Sequence, residues 1–177
     1  METKTEETDG HAGRLNRLSA DEAERALLDC CGSARWAREV AALRPFPEVG
    51  RLLDAGERVW FGLDSDDWLE AFRAHPRIGE KKAGACVGED ARRWSEGEQS
   101  RAREASDETK AALAEGNRAY EEKFGFIFIV CATGKSAEEM LSLLRARMRN
   151  DAETELRVAV EEQWRITELR IKKLLDV

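Results

Sequence analysis

Of the two histidines in the chain, His75 stands in the stretch WLEAFRAHPRIGE, three residues after Phe72 and seven after Trp68. Helical spacing puts these side chains on one face, so the imidazole leaves its helix on the aromatic, core-facing side. Pro76 follows at once. The residue before a proline is pushed out of helical geometry, so the helix is predicted to end there. A helix C-terminus favours imidazolium, whereas burial favours the neutral ring. A histidine held between those effects can act as a general acid or base near neutral pH. The same position also suits a core histidine that merely bonds a carbonyl.

Three more polar side chains come together in WSEGEQ. Ser95 and Glu98 have the spacing of a capping box, which predicts a helix start at that point. A helix N-terminus presents free amides to an anion. With Gln99 the stretch offers a hydroxyl, a carboxylate and a carboxamide, a set able to read a ureido or ring-amide group. Capping alone accounts for the first two. Farther on, Arg170 has Ile166 and Leu174 four residues to either side, an apolar setting for a guanidinium. It either snorkels to solvent or grips a carboxylate through two parallel hydrogen bonds. Arg145, Arg147 and Arg149 are spread around their helix and are expected in solvent. Residues 76–90 read as a loop, with Gly79, Gly84 and Gly88 among Arg77, Glu80, Lys81 and Lys82. The glycine spacing fits neither a Walker loop nor a dinucleotide fingerprint. The loop's cations could guide a small anion toward a cleft, and a plain solvated loop explains them as well.

Helices must carry these groups. Ser19 and Glu22 make a capping box ahead of Ala23, Leu27 and Cys30, and Gly32 marks the stop. Ser33 opens a second helix through Trp36 and Val40, broken at RPFP. Val49, Leu52, Leu53 and Trp60 trace a third, and Asp64 or Ser65 caps a fourth that ends at His75. One or two polar helices follow between Asp90 and Lys123. Ser136 and Glu139 open another, and a last long helix runs through Leu156, Val160, Trp164 and Ile171. FGFIFIVCATG is the one strand-like stretch, aromatic, β-branched and bounded by glycines, although periodicity does not separate it from a buried segment that is no strand. The expectation is a single all-α domain of roughly seven to nine helices over residues 15–177. A polar, disordered tail over residues 1–14 precedes it, with His11 a solvated bystander.

Composition narrows the function. A net charge of −7 argues against a nucleic-acid partner. No apolar run reaches membrane-spanning length, and the N-terminus is too polar for a signal peptide, so no membrane partner is expected. The four cysteines form no C-x-x-C pair and sit near no histidine cluster. They read as reduced thiols of a cytoplasmic protein, and no metal is expected. A helical interaction module without catalysis would share this charged surface and periodicity, and it would expose a large apolar patch.

The blocks CCGSARWAREVAALRPF, WLEAFRAHPRIGE, WSEGEQ, NRAYEEKFGFIFIVCATGKSAEEML and LRIKKLL, in that order from Leu15 to the C-terminus, are together similar to one family. They resemble the decarboxylases that convert 2-oxo-4-hydroxy-4-carboxy-5-ureidoimidazoline (OHCU) to (S)-allantoin in urate degradation. HPRIG and FGFIF are the most specific blocks. The resemblance implies an all-α fold, a small-molecule substrate, OHCU, and decarboxylation without a cofactor. It places the catalytic histidine on His75 and a second catalytic group on Glu98. It places substrate contacts on Pro76, Ser95 and Gln99, and a backbone contact on Ile127 with Phe126 and Phe128 beside it. The arginine that binds the substrate carboxylate falls on Arg170, with Arg147 as the alternative. One departure is Ser100-Arg101 after SEGEQ, where a pair of small residues is expected. The resemblance also turns the strand-like stretch into an extended segment that enters a helix with its amides toward the site. It is compatible with a homodimer and with functional association with hydroxyisourate hydrolase. The enzymatic alternative is another cofactor-free lyase or hydrolase acting on a neighbouring ureide.

Overall fold

The computed structural model describes residues 11–78 and 88–177, apart from the side chains of Ala102 and Arg103. Nine α-helices make up the described fold: α1 (Gly13–Asn16), α2 (Ala20–Cys31), α3 (Ala34–Ala42), α4 (Val49–Gly62), α5 (Ser65–Arg73), α6 (Glu89–Glu98), α7 (Asp107–Phe124), α8 (Ala137–Arg147) and α9 (Ala152–Leu174). A 3-10 turn, Ser100–Glu104, links α6 to α7. No strand occurs among the described residues, in agreement with the all-α expectation. Local chemistry sets the helix ends. Ser19–Glu22 and Ser136–Glu139 form reciprocal capping boxes, and Asp64 and Asp151 cap α5 and α9 with their carboxylates. Gly32 closes α2 at φ +88°, where a Cβ would lie 2.6 Å from that of Ala74, so the α2–α3 corner needs glycine on both counts.

Two apolar clusters fill the interior. The larger gathers Leu27, Trp36, Leu52, Trp60, Phe72 and Ile171 from α2, α3, α4, α5 and α9. Two of its indoles donate to carbonyls, Trp36 to Gly56 (2.9 Å) and Trp60 to Val160 (3.0 Å). The smaller joins Leu113 and Tyr120 of α7 to Met140 and Leu144 of α8. Residues 126–132 run between the two clusters. Phe128, Val130 and Ala132 pack into the smaller one, and Ile129 and Cys131 into the larger. Period-two alternation is therefore real here, with both faces buried, and it explains the strand-like composition. Side chains stand in for a partner strand. Arg147 Nη1 donates to the Ile129 carbonyl (2.7 Å), the Cys131 amide donates to Glu162 (2.7 Å), and Lys135 Nζ donates to the Cys131 carbonyl (2.7 Å).

Several expectations fall on undescribed residues. Residues 79–87 of the glycine-rich loop, Gly79, Glu80, Lys81, Lys82 and Gly84 among them, and residues 1–10 of the tail lie outside the described residues. Beyond residue 10 the chain packs on α9's end: Ala12 is buried, and His11 Nδ1 lies 3.3 Å from the Leu175 carbonyl. No described helix is long and apolar enough to cross a membrane.

Candidate active site

A cleft opens along the seam between the two clusters. His75 and Pro76, just past α5, form one wall, and Ser95, Glu98 and Gln99 of the α6 end form another. Phe128, Ile129, Val130 and Ala132 form the floor, with Ile78 and Ile166 at the sides. The cleft is open to solvent on one side. The exit after Pro76 is pinned by α7: Asn117 donates to the Ile78 carbonyl (3.2 Å), and Arg77 makes a two-point ion pair with Glu121 (2.9 and 3.0 Å).

His75 ends its helix as expected, its amide donating to the Phe72 carbonyl (3.1 Å). Its ring Nε2 lies 2.7 Å from Oε1 of Gln163, a fully buried residue of α9. Burial, assisted by the nearby Arg170 charge, lowers the His75 pKa to about 4; Glu98 and the Gln163 bond oppose the fall without reversing it. The ring is therefore neutral at physiological pH.

Glu98 is ionised. Its burial opposes the charge, but hydrogen bonds and attraction from Arg170, with Lys173, hold its carboxyl below the ordinary carboxylate value. Arg170 grips it at two points, Nε to Oε1 (3.0 Å) and Nη2 to Oε2 (2.9 Å), and Nη2 also reaches Ser95 Oγ (2.8 Å). Because Ser95 Oγ accepts from Arg170, its hydroxyl hydrogen remains available to donate into the cleft. Lys173 lies 3.3 Å from Glu98.

The structure corrects two sequence expectations, the helix start at Ser95 and the solvated Arg147, and it leaves three of the expected contact residues outside the cleft lining. Ser95 and Glu98 do not start a helix. They lie in the last turn of α6, which begins after Gly88, and Gln99 is its C-cap, so no helix N-terminus faces the cleft here. The i, i+3 spacing shared by a capping box and a helix face explains the confusion. Phe126 and Ile127 are not among the lining residues. From this segment Phe128, Ile129, Val130 and Ala132 line the cleft, while Phe126 packs in an aromatic cluster with Phe72 and Tyr120. Arg147 is not solvated: it is buried, with Glu155, Tyr120 and the Ile129 carbonyl as partners. Arg170 stands behind Glu98 and Ser95 rather than among the residues that line the cleft. His75, Pro76, Ser95, Glu98 and Gln99 are brought together as expected. Arg101, the departure from the expected small pair, ties the 3-10 turn to the Gly134 carbonyl (3.0 Å).

With this cleft defined, comparison with known proteins decides the family. The family model for OHCU decarboxylase matches residues 16–172. The chain belongs to the OHCU decarboxylase family. It is similar to the uric acid degradation bifunctional protein TTL of Arabidopsis thaliana, with 42% identity over 83% of this chain and 45% of that protein. It is also similar to the 2-oxo-4-hydroxy-4-carboxy-5-ureidoimidazoline decarboxylase of Haloferax volcanii, with 29% identity over 89% of this chain and 92% of that one. A crystal structure of an OHCU decarboxylase in the presence of (S)-allantoin superposes with a TM-score of 0.75 at 37% identity, covering 86% of this chain and 99% of that chain. This chain spans less than half the length of the Arabidopsis protein, and 31% of the bifunctional PucL of Bacillus subtilis.

Gln163 had no place among the expected site residues of this family member. The available signal was helical register: Gln163 and Thr167 occupy i and i+4 on the face that also carries Val160 and Ile171, two polar residues at fully buried core positions of α9.

Proposed function

We propose that this chain decarboxylates OHCU to (S)-allantoin without a cofactor. The observation that carries the proposal is the meeting of a neutral His75 and an ionised, arginine-held Glu98 on one cleft in a member of this family. In OHCU the carboxylate and the hydroxyl share one ring carbon, next to the C=N carbon that bears the ureido group. As CO2 leaves, the pair of the broken C–C bond forms a C=C bond with the ureido carbon, and the C=N pair moves to nitrogen, which takes a proton. The hydroxyl then gives up its proton as the ring carbonyl forms, and the ureido carbon takes one. His75 is the group to accept the hydroxyl proton. Delivery to the ureido carbon from one face only would set the S configuration. Ser95, Glu98 and Gln99 would orient the ureido and ring amides, and the backbone at Phe128 to Ala132 would meet the developing oxyanion.

The substrate is an anion, and Arg170 with Lys173 outweighs Glu98 by one positive charge. Arg170 is therefore proposed to share its fork between Glu98 and the substrate carboxylate. Arg170→Ala should raise KM about tenfold or more. It should also move the acid limb of the pH profile upward, because a buried Glu98 without its partner takes up a proton more readily. An unchanged KM and an unmoved limb would remove Arg170 from both roles.

Cytoplasmic placement belongs to the same proposal, supported by the buried, unbridged thiols of Cys30, Cys31 and Cys131. So does functional association with hydroxyisourate hydrolase, supported by relatives named as bifunctional in uric acid degradation. A homodimer is proposed on family resemblance alone. The direct test is CO2 release from freshly made OHCU beside other ureides. Release above the spontaneous rate from OHCU alone is expected, whereas turnover of a different ureide only would point to another lyase or hydrolase.

A further inference from the structure

We propose that Gln163 is a positioning residue that fixes the tautomer of His75, with Nε2 carrying the hydrogen and Nδ1 left as the basic nitrogen. This rests on the decarboxylase reading for its kinetic consequence but not for its geometry. The orientation of the Gln163 amide follows from its partners. Its Nε2 lies 3.3 Å from the Cys31 carbonyl, which can only accept. It also lies 3.2 Å from Thr167 Oγ1, whose own hydrogen goes to the Gln163 backbone carbonyl at 2.9 Å. Both contacts require the NH2 group on that side, so Oε1 faces the histidine. An amide oxygen only accepts, and at 2.7 Å from His75 Nε2 it demands an N–H there.

Neutral imidazole carries one N–H, so Nδ1 keeps its lone pair. The charged groups acting on the ring are Glu98 of α6 and Arg170 of α9. Neither is its hydrogen-bond partner in the structure. Gln163, fully buried and without charge, therefore orients the base while raising its proton affinity less than a carboxylate partner would.

With only two histidines in the chain, the ring nitrogens of the full-length 15N-labelled protein can be assigned by NMR, using His11→Asn to identify the other signal. The wild type at pH 7 should show His75 with a protonated Nε2 and a lone-pair Nδ1. A protonated Nδ1, or an even mixture of tautomers, would overturn the proposal whatever the chain's activity. Gln163→Glu keeps an acceptor at the same place, so the tautomer should persist while the titration midpoint rises by more than one pH unit. Gln163→Met removes the acceptor. Its ring should become a tautomer mixture, with kcat on OHCU down about tenfold or more and KM changed less than twofold. Wild-type kcat in that variant would also overturn the proposal. Absence of OHCU turnover in the wild type, with the Nε2–H tautomer intact, would sink the decarboxylase reading and leave this one standing.

Discussion

His75→Ala should reduce kcat on OHCU by at least about a hundredfold, the usual cost of losing a positioned acid or base. The fold should survive, since the ring borders an open cleft and its removal exposes Gln163 Oε1 to water that can replace the lost bond. The wild-type pH profile carries a companion expectation. A free histidine base would produce an acid limb near pH 6.5, whereas His75 is lowered to about 4 and Glu98 lies below the ordinary carboxylate value. Both groups therefore keep their active forms as pH falls from 7 to 5, and kcat/KM should stay level across that range. A limb centred near 6.5 would show a histidine far less desolvated than the structure has it, and a folded His75→Ala variant with near-normal kcat would end its catalytic role.

The second large effect concerns stability. Glu155 is fully buried between Arg147 Nε (2.7 Å), Asn150 Nδ2 (2.8 Å) and the Tyr120 hydroxyl, and Arg147 in turn holds the Ile129 carbonyl on the cleft floor. Glu155→Ala leaves a buried guanidinium without its counter-charge, which costs about 3–5 kcal/mol. For a chain of this size that corresponds to a fall in Tm on the order of 10 °C. Glu155→Gln keeps the shape and one acceptor and should lose less. Because the Ile129 backbone would shift with Arg147, turnover should fall in Glu155→Ala even where the protein remains folded. A thermal melt showing less than about 1 kcal/mol of loss would mean that the network is better hydrated than its burial indicates.

These two residues also mark how far the sequence could be read. Helix boundaries followed from local chemistry, so Ser19, Ser33 and Ser136 announced α2, α3 and α8 correctly, and Asp64 was one of the two candidates named for the start of α5. His75 was legible for the same reason: the following proline and the Trp68–Phe72 face fixed where its helix ended and which way the ring left. Non-local chemistry was hidden. Nothing near Arg147 in the sequence shows that Glu155, Tyr120 and the Ile129 carbonyl will surround it, and so it looked like one surface arginine among three. Arg170 and Glu98, 72 residues apart, read as two independent groups, and only the fold brings their side chains together. The extended floor misled in two ways. Its strand-like composition was visible but its partners are side chains, and Phe126 packs in the aromatic cluster rather than on the cleft.

The measurement to make is circular dichroism of OHCU generated from urate by urate oxidase and hydroxyisourate hydrolase, followed with and without this protein. The expected result is rapid growth of the (S)-allantoin signal with the wild type and slow, optically silent decay with His75→Ala. A wild-type trace indistinguishable from spontaneous decay would contradict the assignment of this cleft to OHCU decarboxylation.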